Sequence, residues 1–203
     1  MLSIKRVLLG ITGGIGAYKS AELARLLREA GFEVKVVMTS AAKQFITPLT
    51  LQALSGSRVY DSLWESSAEN GMDHIELAKW ADLILIAPAT ADCIARLAHG
   101  LADDLLTTIC LASTASLVVA PAMNQAMWRH PATQANVKLL RERSVIFFGP
   151  EEGVQACGDQ GIGRIQEPEV IIKSLQQSFD SSSSLLKNLS IMITAGPTQE
   201  VPP

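Results

Sequence analysis

Several segments of this 203-residue chain could carry chemistry, and the first is a glycine loop. Gly10-Ile-Thr-Gly-Gly-Ile-Gly16 joins an apolar run to a helical stretch. Backbone N–H groups left free at a helix start favour an anion, so a phosphate is the natural guest. Two phosphate motifs nearly fit and fail. A Walker A loop needs Gly immediately before Lys-Ser/Thr, and here Tyr18 precedes Lys19-Ser20. Gly14-Ile-Gly16 opens a dinucleotide fingerprint, but Lys19 stands at its third glycine. Thr39-Ser40 end the second apolar run, where a dinucleotide fold would place an acid for the ribose. Hydroxyls there suit a phosphate better than a diol. The loop reads as a mononucleotide or phosphate site; the alternative is a plain tight turn.

Two further segments share one design. Ala87-Pro-Ala-Thr-Ala-Asp92 and Ala120-Pro-Ala-Met-Asn124 each follow an apolar run. Proline fixes φ and is expected to stop the strand. Small alanines let a flat ring approach the backbone, and Thr90, Asp92 and Asn124 supply sparse polar contacts. That combination suits a planar cofactor. The same three residues could equally serve as helix caps. Imidazole titrates near neutrality, which makes each histidine a candidate proton acceptor. His74 opens a helical stretch after a polar segment, His99 sits beside Gly100 at a helix end, and His130 precedes Pro131. Cys93, Cys110 and Cys157 form no close pair, so neither a disulfide framework nor a metal site follows. Cys93 and Cys110 fall in apolar helical stretches, where a small buried hydrophobe is the ordinary reading. Cys157 lies in the glycine-rich segment 149–168, which lacks apolar periodicity and reads as a functional flap.

The elements that must position these residues alternate. Strands are expected at 7–11, 34–38, 83–87, 117–120 and 145–148, with a shorter one at 58–60. Helices are expected at 17–30, 49–54, 74–80, 91–98, 104–111, 131–143 and 169–179. Continuous apolar strands between helices predict an α/β fold with a parallel sheet covered on both faces. Ligands bind such sheets at the C-terminal strand ends, and every segment singled out above sits at one. Asp180 and the serines at 181–184 open a linker, and 189–194 reads as the first strand of a second, truncated domain.

Composition narrows the function classes. The chain is 48% hydrophobic and only 5% aromatic, so Ala, Leu, Ile and Val must build its core. Mean hydropathy is +0.23, yet no apolar run approaches the ~20 residues of a membrane span. A net charge of −3 offers no basic excess for nucleic acid or an anionic membrane. The first apolar run breaks at Gly13-Gly14, too soon for a signal peptide, which makes a cytoplasmic protein the expectation.

Taken in order, Gly13-Gly14-Ile15, Met38-Thr-Ser-Ala-Ala42, Phe45-Ile-Thr-Pro48, His74-Ile-Glu-Leu77, Ala87-Pro-Ala-Thr-Ala91, Pro121-Ala-Met-Asn-Gln-Ala-Met127 and Ala156-Cys-Gly-Asp159 resemble the flavin-dependent cysteine decarboxylase family. The likeness covers about residues 4–179. It implies a Rossmann-like or flavodoxin-like three-layer sandwich, with 1–180 as an FMN-dependent decarboxylase domain and 181–188 as a linker. The remaining 189–203 resembles the start of a ligase-like domain, which would make that domain a partner in the full-length chain. The implied substrate is 4'-phospho-N-pantothenoylcysteine, decarboxylated to 4'-phosphopantetheine on the way to coenzyme A through a thioaldehyde and an ene-thiolate. By the same resemblance His74 is an active-site base, Asn124 holds the substrate carboxylate, and Cys157 protonates the ene-thiolate. FMN contacts are implied for Gly13, Gly14, Ile15, Thr39, Phe45, Thr90, Ala91, Asp92 and Ala120, with Asp92 standing where many members have Asn. Substrate contacts are implied for Ala122, Met123, Asn124 and Ala156, and no metal. Members form trimers, often assembled into dodecamers, with FMN at the subunit interface. Relatives of the same fold act as peptidyl-cysteine decarboxylases, flavin prenyltransferases or non-catalytic regulatory subunits. His74, Asn124 and Cys157 together argue against the last of these.

Overall fold

The computed structural model describes residues 4–64 and 72–179. The expected linker and second domain at 180–203 lie outside them. A six-stranded parallel sheet forms the middle layer, in the spatial order β3-β2-β1-β4-β5-β6. Its strands are β1 (Arg6–Ile11), β2 (Glu33–Met38), β3 (Val59–Tyr60), β4 (Leu83–Ala89), β5 (Ser116–Pro121) and β6 (Ile146–Phe147). This is the Rossmann order, with the chain switching direction across the sheet between β1 and β4.

Alternate strand residues feed two cores, because successive side chains leave a strand on opposite faces. Leu9, Val36, Leu85 and Val118 pack under α1 (Lys19–Glu29), α2 (Pro48–Ser55) and α8 (Pro168–Phe179). Leu8, Val37, Ile84 and Val119 pack under α3 (Asp73–Trp80), α4 (Ala91–His99), α5 (Leu105–Ala112) and α7 (Pro131–Glu142). The helices end where the sequence can leave them. Gly56 and Gly100 adopt left-handed φ at the C-caps of α2 and α4, a conformation that costs a residue with a Cβ. Asp104 and Thr107 form a capping box at the start of α5.

Three expectations change. Pro88 does not end β4, which runs on to Ala89 through a register shift against β5. A proline needs no ladder N–H at a bulge, so the strand tolerates it there. A short helix, α6 (Gln125–Arg129), follows Asn124 unpredicted. The supposed flap at 149–168 is an antiparallel hairpin of β7 (Glu151–Val154) and β8 (Gln160–Arg164). Its inward positions in β8 are the glycines 161 and 163, so no apolar alternation announces a strand. A Cβ on Gly163 would lie 2.2 Å from the Met123 carbonyl oxygen. Only glycine lets this strand lie against the segment after β5, where Met123 N–H donates to Gly163 O at 3.0 Å.

Candidate functional site

Thr12 joins the two strand ends that flank the switch point. Its buried hydroxyl donates to Pro88 O at 2.8 Å and accepts from Thr90 N–H at 3.1 Å. Ser20, in the first turn of α1, donates to Ala87 O at 2.7 Å. The two Ala-Pro-Ala ends are themselves joined, Ala122 N–H donating to Ala89 O at 3.0 Å. These bonds fix the floor of a cavity of about 620 Å3 whose walls are the glycine loop, the ends of β4 and β5, and the hairpin. Volume and position are those of a small-molecule site in an open parallel sheet.

Much of the predicted site comes together here. Gly13, Gly14, Ile15, Thr90 and Ala91 line the cavity on one side. Ala122, Met123 and Asn124 meet them from β5, and Ala156 and Cys157 from the hairpin. A Cβ on Gly13 would sit 2.5 Å from that of Ala41, so the loop can pack there only as glycine. Thr90 also caps α4, accepting from Cys93 N–H at 3.2 Å. Cap and cavity wall are therefore one residue.

The centre of the arrangement is Asn124. Its Oδ1 accepts from Ala126 N–H at 2.8 Å, capping α6. This bond orients the amide so that Nδ2 faces the hairpin tip, 3.4 Å from Cys157 Sγ and 3.0 Å from Asp159 Oδ2. Gln155 completes the tip. Its Oε1 accepts from Gln125 N–H at 3.1 Å and lies 4.0 Å from Cys157 Sγ. An exposed thiol held beside a neutral amide is a proton source next to a group able to orient a carboxylate.

Five implied residues do not line this cavity. Thr39 precedes the 3-10 turn Ala42–Gln44, its hydroxyl accepting from Ala42 N–H at 3.3 Å. Phe45, at the end of that turn, is half exposed. Asp92 is engaged by Arg96 at 2.8 Å. The side chain of Ala120 is fully buried in the core beneath β5. His74 stands in the first turn of α3, on the sheet face that carries α4 and α5, away from the cavity walls. His130 is a helix cap, its Nδ1 accepting from Ala132 N–H at 3.2 Å.

Other contributors escaped the sequence reading. Lys19 and Arg164 line the cavity and both donate to Glu167 Oε1. Lys19 was visible only as the residue that spoils the glycine fingerprint. Thr12 lay inside the glycine loop but was given no role of its own, and Gln155 carried no motif at all.

Residues 1–180 match the flavoprotein family. The chain belongs to that family. Among its relatives, the coenzyme A biosynthesis bifunctional protein CoaBC of Vibrio vulnificus is 57% identical over 199 residues, 98% of this chain and 49% of the relative. The chain thus spans about half the length of the curated relatives it matches. Two solved structures resemble this flavoprotein over most of its length. A cysteine-to-serine mutant of PPC decarboxylase complexed with pantothenoylaminoethenethiol shares 34% identity at a TM-score of 0.79, covering 88% of this chain and all of that one. The FMN binding protein AtHal3 shares 35% identity at a TM-score of 0.76, covering 88% and 98%. No helix among the described residues of the flavoprotein is long and apolar enough to cross a membrane.

Proposed function

We propose that this chain carries the FMN-dependent decarboxylation of 4'-phospho-N-pantothenoylcysteine to 4'-phosphopantetheine. One observation carries the reading: Asn124 and Cys157, from two different elements, meet at 3.4 Å on the rim of a cavity walled by the glycine loop. The names of its relatives point the same way.

The cavity suits a flavin. Its walls are mainly aliphatic side chains and backbone, as a flat ring requires, and the loop through Gly13 and Gly14 leads into the 3-10 turn Ile15–Tyr18, whose first N–H groups favour a phosphate. When bound, the flavin supplies a reversible two-electron acceptor for the thiol-bearing carbon of the substrate. The protein's own residues handle charge and protons. Asn124 Nδ2 orients the carboxylate without an ionic lock, which matters because that charge must leave with CO2. Cys157 Sγ gives a proton to the ene-thiolate that remains. His74 takes the proton of the substrate thiol.

His74 lies outside its own chain's cavity, which supports a homotrimer, alone or within a dodecamer, in which one copy supplies His74 to the cavity of another. Exposed Ile15 and Tyr18 on the cavity wall, with exposed Phe45, give such an interface apolar surface. The domain reading keeps 1–180 as the decarboxylase, 181–188 as linker and 189–203 as the opening of a ligase-like domain, in a cytoplasmic protein. The Asn124–Cys157 pair favours catalysis over a regulatory subunit.

The test is to denature the purified protein, identify the released chromophore, and assay CO2 release from 4'-phospho-N-pantothenoylcysteine. A flavin-free protein that FMN cannot reconstitute would overturn the reading. A flavoprotein active only on a peptidyl cysteine would replace the substrate.

A further inference from the structure

Asp159 takes no part in the chemistry described above, yet it holds the residue on which that chemistry turns. Two residues beyond Cys157, its Oδ2 accepts a hydrogen bond of 3.0 Å from Asn124 Nδ2. An amide NH2 has two donor hydrogens. Here Nδ2 faces both Asp159 Oδ2 and Cys157 Sγ, while Oδ1 is engaged by Ala126 N–H. Both amide hydrogens of Asn124 and one acceptor position of Oδ1 are therefore in use within the chain itself. Among the described residues Asp159 has no ion-pair partner, and the Asn124 amide is the side-chain donor its carboxylate meets.

We propose that Asp159 is an internal stand-in for the substrate's carboxylate: it occupies the Asn124 amide in the empty site, yields it to the incoming carboxylate, and takes it back once CO2 has left. The proposal rests on the reading of Asn124 given under the proposed function. Two carboxylates on one neutral amide repel each other, so binding of one disfavours the other. Asp159 is exposed and its carboxylate is readily solvated, which keeps displacement inexpensive. The product lacks the carboxylate, so after decarboxylation nothing competes for the amide.

The exchange also reaches Cys157. The tip 155–159 is tied across itself, Gln155 N–H donating to Asp159 O at 2.7 Å and Gly158 N–H to Gln155 O at 2.9 Å. Asp159 and Cys157 thus ride on one turn. Release of Asp159 frees that turn while the carboxylate is present, and its return draws the thiol back beside Asn124 when the ene-thiolate needs a proton. The order of events is set by which carboxylate holds the amide.

The experiment uses two ligands that cannot be turned over. One is phosphopantothenoylserine, with a hydroxyl in place of the thiol; the other is its carboxamide, neutral at the same position. Each is titrated into the FMN-loaded protein by calorimetry. Asp159→Ala and Asp159→Asn should each tighten the acid by about tenfold, the scale of a charge-assisted hydrogen bond removed from competition, and leave the carboxamide within about twofold. An unchanged or smaller ratio of the two affinities in both variants overturns the proposal, as does equal weakening of both ligands, which would mark Asp159 as purely structural. In Asn124→Ala/Asp159→Ala the gain should vanish. If it persists, the carboxylate is held elsewhere, and the assignment of Asn124 fails along with the exchange.

Discussion

Lys19 Nζ lies 2.6 Å from Glu167 Oε1, joining the first turn of α1 to the segment that leads from the hairpin into α8. The lysine side chain is only 9% exposed, whereas Glu167 is 48% exposed and also accepts from Arg164 at 3.3 Å. The start of α1, just after the glycine loop, and the base of the hairpin, two walls of the cavity, are thereby linked by one carboxylate. Glu167→Gln leaves a nearly buried ammonium beside a neutral amide. A loss of about 1–2 kcal/mol is expected, less than for a fully buried pair because Glu167 keeps contact with water. Urea unfolding checks it, and Lys19→Met/Glu167→Gln should recover part of the loss.

The Arg6 guanidinium holds the Asp82 carboxyl down to about 2, helped by N–H donation from Lys5 and Arg6. A carboxyl depressed in the folded state stabilises the fold above its unfolded value near 3.9 and loses that contribution as pH falls through the folded value. Asp82→Asn should therefore cost about 1 kcal/mol at pH 7, below the full linkage value because Arg6 stays open to solvent. The gap between variant and unmodified protein should close between about pH 4 and pH 2. Unfolding curves across that range decide it, and a gap independent of pH would refute the assignment.

The three cysteines should differ sharply in reactivity, because the thiolate is the nucleophile. Burial pushes the Cys93 thiol well above its ordinary range and that of Cys110 up to about 12, with Asp104 adding to the latter. Cys110 is only partly covered as a residue, but its thiol shares that burial. Cys157 is exposed. Iodoacetamide at pH 8 should add one equivalent quickly, at Cys157, and two more only on unfolding. Peptide mass spectrometry locates the label; fast labelling of Cys93 or Cys110 contradicts the expectation.

Three substitutions at the proposed catalytic residues should fail in three ways. His74→Asn should leave the bound flavin oxidised when substrate is added anaerobically, since no base takes the thiol proton. Cys157→Ser should still permit oxidation and CO2 loss, but a hydroxyl is a far weaker acid than a thiol. Reduced flavin and an oxidised, decarboxylated product should accumulate. Asn124→Asp should bind substrate poorly, because like charges face each other. Flavin absorbance with product mass distinguishes the three, and normal turnover by Cys157→Ser would remove Cys157 from its role.

Strand-helix alternation and the unbroken apolar character of residues 7–11, 83–87 and 117–120 determined the parallel sheet by themselves, because a strand buried on both faces has no polar side to show. The glycine loop and the two Ala-Pro-Ala ends were equally legible, since proline and clustered glycine constrain the backbone wherever they occur. The hairpin was not legible. Its inward positions in β8 are glycines chosen for close approach to Met123 and Gln125, and a missing side chain leaves no periodic signal. Nor could the sequence place Thr12 across the two strand ends, Lys19 against Glu167 some 148 residues away, or Asp159 on the amide of Asn124. Those contacts join residues far apart in the chain, and only the packing of β1 beside β4 and of the hairpin over β5 brings their polar atoms within hydrogen-bond reach.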